Sequence, residues 1–193
     1  MIIVMGMPGS GKSTILSKAN TEGYKLLNFG DVMIGIVKKR FGIADRDEMR
    51  RRLTRRDYIV VQRNAAEIIG DAVRENGGKV ILDTHAVVII KDGYVPGLPR
   101  QVLSQFEADY LVFVTAPLDE IVKRTKNDAT RVRDSLTREE LERVKALSET
   151  LISSYAMYTG ANVVFIDNRE GKLYDAVEQL DRVVCLDSGA EKE

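Results

Sequence analysis

The sequence predicts an α/β protein with a three-layer α/β/α arrangement, in which helices cover both faces of a five-stranded parallel sheet. Five clusters of apolar residues alternate with helical segments along the 193 residues, the order that parallel strands joined by helices produce. The first cluster also runs directly into a glycine-rich turn that opens a helix. Because no repeat or linker interrupts this alternation, we expect a single domain spanning residues 1–193.

The strand predictions rest on apolar clusters that are bounded by turn-forming or charged residues. They cover residues 1–5, 24–29, 80–83, 110–115 and 162–166. Residues 91–99 contain two glycines and two prolines, so this segment is predicted to be a loop.

The helix predictions rest on apolar spacing and on start signals, such as Pro117 in a first turn and the capping box that begins at Thr137. They cover residues 12–20, 31–40, a segment that ends near 76, a segment that opens at 117, and residues 137–158 and 173–186. Two regions fall outside the strand–helix alternation. Residues 31–76 are predicted to form a helical insertion, and residues 127–136 a short lid.

Composition excludes several classes of function. Lysine plus arginine and aspartate plus glutamate both number 29, so the net charge is zero, which argues against a nucleic acid as partner. No apolar run approaches the roughly 20 residues of a membrane helix, so we expect no membrane partner. The single cysteine cannot form an intramolecular disulfide and fits the reducing cytoplasm, where we expect the protein to reside.

A phosphate-binding motif follows the first predicted strand. Residues 6–13 match the P-loop (Walker A) pattern G-x-x-x-x-G-K-[ST], in which glycines let successive backbone N–H groups point at phosphate oxygens. Lys12 is expected to reach the β- and γ-phosphates of ATP, and the Ser13 hydroxyl to ligate Mg²⁺. The predicted fold is therefore that of the P-loop NTPases. The predicted ATP-binding residues of this segment are Gly6, Pro8, Gly9, Ser10, Gly11, Lys12, Ser13 and Thr14.

Asp83 closes the third predicted strand and is the candidate second anchor for Mg²⁺. P-loop sites need such a carboxylate at the carboxyl end of a neighbouring strand. His85, two residues later, is the only histidine. Transfer to a phosphate acceptor needs no general base, so we expect His85 at most to orient the acceptor.

Arginines are placed to bind further phosphate groups, because a guanidinium can donate to two phosphate oxygens at once. Arg124, Arg131 and Arg133 bracket the predicted lid and are candidate catalytic residues that would stabilise the transferring phosphoryl group. Closure of the lid would exclude water and hinder hydrolysis of ATP. Arg46 lies in the insertion, and Arg100 follows a Gly-Leu-Pro sequence.

Taken together, the order and spacing of these motifs resemble the archaeal-type adenylate kinases, which belong to the nucleoside monophosphate kinases of the P-loop superfamily. The matching stretches are the P-loop and residues 28–33, 45–50, 83–85, 93–99, 128–134 and 158–161.

The resemblance implies reversible transfer of a phosphoryl group from MgATP to AMP, giving two ADP, in a protein that forms homotrimers. It implies that the insertion binds AMP, that Arg124, Arg131 and Arg133 surround the phosphates, and that Asn168 lies near the adenine of ATP. Arg100 stands where bacterial adenylate kinases have a similar Gly-Phe-Pro-Arg motif for the AMP phosphate. The predicted AMP-binding residues are Gly30, Asp31, Met33, Arg46, His85 and Arg100.

Two other functions stay open at this point. A P-loop is shared with kinases of other small acceptors, such as another nucleoside monophosphate or a shikimate-like acid, and assays with each acceptor would separate these. A non-enzymatic P-loop switch is the second alternative. Guanine-nucleotide switches carry Asn-Lys-x-Asp and Asp-x-x-Gly motifs, and this sequence contains neither.

Overall fold

The strands of this computed structural model, which describes residues 1–90, 93–127 and 136–189, divide into two sheets. They are β1 (Ile2–Gly6), β2 (Lys25–Asn28), β3 (Val80–Asp83), β4 (Val87–Ile90), β5 (Gly93–Pro96), β6 (Tyr110–Thr115) and β7 (Asn162–Asp167). The larger sheet has five strands in the order β2-β3-β1-β6-β7, and every neighbouring pair is parallel. The prediction of a five-stranded parallel sheet is confirmed.

Helices separate the strands of the larger sheet. They are α1 (Lys12–Lys18), α2 (Phe29–Phe41), α3 (Arg46–Arg52), α4 (Arg55–Glu75), α5 (Arg100–Leu103), α6 (Leu118–Asn127), α7 (Arg138–Thr159) and α8 (Leu173–Asp187). The capping box predicted at Thr137 is present, because its hydroxyl accepts from the Glu140 N–H while the Glu140 carboxylate accepts from the Thr137 N–H. None of the described helices is both long and apolar enough to cross a bilayer.

The core lies on both faces of the sheet, because the side chains of the central strand alternate between them. Ile3 and Met5 of β1 belong to the cluster packed under α2, α4 and α7, whereas Ile2 and Val4 pack under α1 and α8. All four side chains are fully buried. Burial of each such side chain contributes about 1.5–3 kcal/mol, which fixes the strand that carries the P-loop.

The second sheet corrects a prediction. Residues 91–99 were expected to form a loop, but β4 and β5 pair as an antiparallel hairpin in which Val87 lies opposite Pro96. The β-branched sequence Val-Val-Ile-Ile of β4 favours a strand. The prediction missed the hairpin because it followed the glycines and prolines of the next segment, which are typical of a loop. Pro96, which has no N–H to donate, is the last residue of β5.

The register of the larger sheet brings three chain segments to one edge. Asn28 at the end of β2 lies opposite Asp83 at the end of β3, and Asp83 lies opposite Val4 of β1. The P-loop leaves β1 two residues later, at Gly6. The carboxyl ends of these strands therefore converge where P-loop proteins bind ligands. The predicted lid lies almost wholly outside the described residues, since the structure is not described between 127 and 136.

Candidate functional site

The P-loop is a tight turn between β1 and α1. The Met7 N–H donates to the Val114 carbonyl (3.1 Å), and the Ser10 N–H donates to the Met7 carbonyl (3.1 Å), so the loop is tied to the neighbouring strand β6. Gly11 has a φ of 83°, and a Cβ at that position would stand 2.3 Å from Nδ2 of Asn168. Only glycine satisfies both constraints at this position.

Lys12, the first residue of α1, is 7% exposed, and its Nζ forms an ion pair with Oδ1 of Asp83. The hydroxyl of Ser10 is fully buried and has no hydrogen-bond partner among the described residues. A buried hydroxyl without a partner is costly, and a phosphate oxygen seated in the loop would satisfy it. The cation and the hydroxyl together fit a polyphosphate ligand.

Oxygen ligands suited to Mg²⁺ stand beside Lys12. Ser13 follows it on α1 and is exposed, and the Asp83 carboxylate already reaches Lys12. Hydroxyl and carboxylate oxygens are the hard donors that Mg²⁺ selects, usually one or two from protein with the rest from phosphate and water. The residues predicted as metal ligands therefore fit that ion.

A cavity opens next to Asp83. Four of the six residues predicted to bind AMP line it, namely Gly30, Met33, Arg46 and His85. The guanidinium of Arg46 rests on the backbone of Gly30, so closely that a Cβ there would stand 2.8 Å from the arginine Cζ.

Asn28 joins this cavity to the P-loop. Its Nδ2 donates to Oδ2 of Asp83 (2.7 Å), and its Oδ1 accepts from Nη2 of Arg46 (2.7 Å) and from the Asp31 N–H (3.2 Å). The amide thus bonds both the candidate metal ligand and the candidate acceptor arginine. Sequence reasoning included Asn28 in the matching stretch 28–33 but gave it no role of its own, although an asparagine that caps a helix at the carboxyl edge of a sheet was a usable signal.

His85 and Tyr155 fix the chain segment that leaves β3. His85 Nδ1 lies 3.2 Å from the Gly6 carbonyl and carries the proton, because a carbonyl only accepts. The Tyr155 hydroxyl donates to the Ala86 carbonyl (2.8 Å) and accepts from the Leu98 N–H (3.3 Å). Burial raises the pKa of Tyr155 to about 12, so this hydroxyl remains a donor across the physiological range.

Arg124 and Asn168 brace the P-loop from the other side. Arg124 Nη2 donates to Oε2 of Glu120 (2.7 Å) and to the Asn168 carbonyl (3.0 Å), and Nη1 donates to the Ser10 carbonyl (3.4 Å). Asn168 is 5% exposed, and its Nδ2 donates to the same Ser10 carbonyl (2.7 Å). The structure therefore brings Arg124 and Asn168 together at the P-loop. Glu120, which holds the arginine and also accepts from the Glu170 N–H, was not anticipated.

The remaining predicted residues lie elsewhere or outside the described part. The Asp31 side chain is 74% exposed and accepts from Nη2 of Arg46 (2.7 Å) without lining the cavity. Arg100 also lies off the cavity lining, with its guanidinium 5.7 Å from the centre of the Tyr158 ring. Arg131 and Arg133 lie outside the described residues.

The sequence matches a family model and several curated proteins. Residues 5–142 match a family model described as an AAA domain. The chain is 39% identical over 173 residues to an adenylate kinase from Pyrobaculum aerophilum, which covers 89% of this chain and 85% of that protein. It is 34% identical over 186 residues to an adenylate kinase from Thermoplasma acidophilum, covering 96% of this chain and 98% of that protein.

Solved structures agree on the fold. A shikimate kinase from Bacteroides thetaiotaomicron superimposes with a TM-score of 0.57 at 14% identity, over 95% of this chain and 97% of that one. A thymidylate kinase from Candida albicans superimposes with a TM-score of 0.62 at 18% identity, over 98% of this chain and 92% of that one. At such identities the likeness shows a shared P-loop kinase fold, and the acceptor must be judged from the site and the closer relatives.

Proposed function

We propose a residue-level account of catalysis for this chain, which belongs to the adenylate kinase family. As an adenylate kinase it is a phosphotransferase that moves a phosphoryl group reversibly between ATP and AMP, with two ADP on the other side of the reaction. The observation that carries the account is the run of contacts from Arg46 through Asn28 and Asp83 to Lys12. It joins a cavity suited to the acceptor with a loop suited to the donor.

The donor side is the P-loop. Its backbone N–H groups and the Ser10 hydroxyl bind the β-phosphate region of ATP, and Lys12 exchanges part of its contact with Asp83 for the transferring phosphoryl group. A cation that is 7% exposed acts in a site of low dielectric constant, where its attraction for developing negative charge is large.

Ser13 and Asp83 would hold Mg²⁺ on this side of the site. When bound there, Mg²⁺ neutralises charge on the phosphate oxygens as it does in other P-loop enzymes. The Asn28 amide keeps the Asp83 carboxylate in place by donating to its second oxygen.

The acceptor side is the cavity lined by Gly30, Met33, Arg46 and His85. Arg46 binds the phosphate of AMP and holds it towards the P-loop. This phosphate is already anionic, so the reaction needs positioning rather than a base, and His85 serves to fix the backbone of the segment around it.

Arg124 would complete the phosphate site together with Arg131 and Arg133 of the lid, residues 127–136. In the structure the Glu120 carboxylate pairs with the Arg124 guanidinium. A polyphosphate in the P-loop would compete with that carboxylate for the same donors. Asn168 braces the P-loop, because its Nδ2 donates to the Ser10 carbonyl.

The acceptor assignment is tested by incubating the protein with MgATP and each of AMP, CMP, UMP and shikimate. We expect ADP to form at least tenfold faster with AMP than with the other acceptors, and activity with AMP to vanish when EDTA removes the metal and to return with excess Mg²⁺. Rapid ADP formation with CMP or shikimate but not with AMP would overturn the assignment.

Replacing Arg46 with alanine should raise the KM for AMP by about ten- to a hundredfold, since a charge-assisted phosphate contact contributes roughly 1.5–3 kcal/mol. The KM for ATP should change much less. Initial rates with each substrate varied in turn give both constants. Arg63→Ala, at an exposed position on α4, is the control and should leave both constants unchanged. An unaltered KM for AMP in Arg46→Ala would remove the cavity from consideration as the AMP site.

A cytoplasmic location and a homotrimeric assembly belong to the same proposal. The lone cysteine supports a reducing compartment. Three large apolar side chains are exposed on α7 and β7, namely Met157 (90%), Tyr158 (46%) and Phe165 (52%), which supports burial against other copies of the chain. Sedimentation velocity, by giving the mass in solution, tests the trimer.

A further inference from the structure

Glu120 is a carboxylate in the first turn of α6, and Arg124 joins it to the P-loop. Its Oε2 accepts from Arg124 Nη2 (2.7 Å) and from the Glu170 N–H (2.7 Å). The side chain is 22% exposed, so solvent screens its charge only in part. An anion held this close to a phosphate site opposes the binding of phosphate. A glutamine could accept the same two hydrogen bonds without this cost, so the charge at position 120 calls for an explanation.

The ion pair occupies the nitrogen of Arg124 that a phosphate needs. A guanidinium donates to two phosphate oxygens at once through one of two edges, Nε with Nη2 or Nη1 with Nη2, and both edges include Nη2. One N–H of Arg124 Nη2 donates to Glu120, and the other donates to the Asn168 carbonyl (3.0 Å). Arg124 therefore cannot bind a phosphate with two hydrogen bonds until one of these acceptors gives way.

Of the two acceptors, Glu120 is the one that can give way. Asn168 is 5% exposed, and its N–H and Nδ2 donate to neighbouring backbone carbonyls at 2.8 and 2.7 Å, so its own carbonyl is fixed in position. Glu120 reaches Arg124 through a flexible side chain instead. Its Oε2 still accepts from the Glu170 N–H after the arginine has moved, so the exchange leaves neither of these groups without a hydrogen bond.

We infer that Glu120 is an internal competitor of phosphate, whose carboxylate holds the Arg124 nitrogen that a nucleotide phosphate would take, and which thereby weakens nucleotide binding and speeds nucleotide release. The inference rests on the proposed assignment of Arg124 to the phosphates. A reversible phosphotransferase must release ATP in one direction and ADP in the other, and product release sets kcat in many enzymes. A competing carboxylate beside the P-loop serves that release.

Glu120→Gln tests the inference, because it keeps the length of the side chain and an acceptor oxygen and removes only the charge. The probes are AMPPNP, a non-hydrolysable analogue of ATP, and tripolyphosphate, which has no base or ribose. With Mg²⁺ present, titration calorimetry should show both binding about three- to tenfold more tightly to the variant. Dissociation of a fluorescent AMPPNP, followed by stopped flow, should slow by a similar factor.

The sign of this change is diagnostic. Damage to the packing around Glu120 would weaken binding, whereas removal of a competitor strengthens it. Unchanged or weaker binding of both probes to folded Glu120→Gln protein would overturn the inference. Glu178→Gln is the matched control, because Glu178 pairs with Arg182 at the same spacing on the exposed face of α8 (3.5 Å). It subtracts the same charge and should leave both affinities unchanged.

Arg124→Ala separates this inference from the assignment beneath it. The variant should bind tripolyphosphate at least about tenfold more weakly. If it does so while Glu120→Gln brings no gain, Arg124 binds phosphate and Glu120 does not restrain it. If Arg124→Ala leaves both affinities unchanged, Arg124 itself has been assigned wrongly.

The double variant Glu120→Gln with Arg124→Ala shows whether the carboxylate acts through the arginine. In the Arg124→Ala background the gain from Glu120→Gln should shrink to less than about twofold, since the competitor has lost its target. A gain of full size without the arginine would overturn the inference, because Glu120 would then act on the phosphates directly.

Discussion

Replacement of Lys12 by alanine is expected to lower kcat by about a hundred- to a thousandfold, the loss that follows removal of one preorganised donor from a site where charge develops. Lys12 is 7% exposed and already paired with Asp83. In the variant, the transferring phosphoryl group loses its cation, and the Asp83 carboxylate faces the phosphates with no positive charge beside it. The effect should fall on kcat more than on the KM for AMP, because Arg46, and not Lys12, is the residue that we propose to bind the AMP phosphate.

Lys18→Ala is the matched control for this variant. Lys18 is an exposed lysine in the last turn of the same helix, so its removal subtracts the same charge from α1 without touching the P-loop. Steady-state rates and circular dichroism on both variants separate loss of chemistry from loss of structure. If folded Lys12→Ala protein retains a near-wild-type kcat, Lys12 does not stabilise the transferring phosphoryl group.

Local signals in the sequence were enough to predict the elements that build this site. The apolar runs of β1, β3 and β6 predicted parallel strands, and the capping box at Thr137 located the start of α7 within one residue. The P-loop could be placed on the sheet because its motif must follow a strand and open a helix.

What could not be predicted depends on contacts between distant segments. The hairpin of β4 and β5 was not predicted because its second strand begins with a glycine and ends with a proline, and both residues are signals of a loop. The bond between Asn28 and Asp83 requires the register of β2 on β3, and the bonds from Gln62 to the Pro96 and Gly97 carbonyls require the packing of α4 on the hairpin. Neither follows from composition or periodicity.

One missed contact was within reach of sequence reasoning. Glu120 and Arg124 are four residues apart on α6, the spacing at which opposite charges pair on a helix. The sequence analysis assigned Arg124 to phosphate binding alone and did not predict its ion pair with Glu120. The ion pair holds the Arg124 guanidinium beside the P-loop. A phosphate that binds Arg124 must compete with the Glu120 carboxylate, which reduces the net favourable free energy of that contact.

Among the substitutions proposed for this protein, Gly97→Ala is expected to lower the free energy of unfolding the most. A Cβ at position 97 would stand 1.8 Å from the carbonyl oxygen of His85 and 3.2 Å from that of Ala86. The neighbouring backbone cannot give way easily, because the Ala86 carbonyl is held by both the Gly97 N–H (2.8 Å) and the Tyr155 hydroxyl (2.8 Å). We expect a cost of about 3 kcal/mol or more, and hence a fall in Tm of roughly 6–12 °C.

Gly35→Ala supplies a control of opposite sign. Gly35 is exposed in the middle of α2, and a Cβ there meets no atom within 4 Å. Alanine is a better helix former by about 0.8–1 kcal/mol, so the Tm should rise by a few degrees. Calorimetry of the two variants therefore separates the effect of the close approach of Gly97 to His85 from that of glycine replacement as such, which predicts no fall in Tm.

The functional consequence of Gly97→Ala should be selective. Gly97 accepts from the Gln62 amide, and the segment it would displace carries His85 and adjoins Asp83. The KM for AMP should therefore rise several-fold at temperatures where the variant stays folded. The KM for ATP should change less, because the P-loop is held not only by His85 at Gly6 but also by β6, through the Met7 N–H. Equal changes in both constants would mean that the hairpin supports the fold as a whole and has no particular part in binding the acceptor.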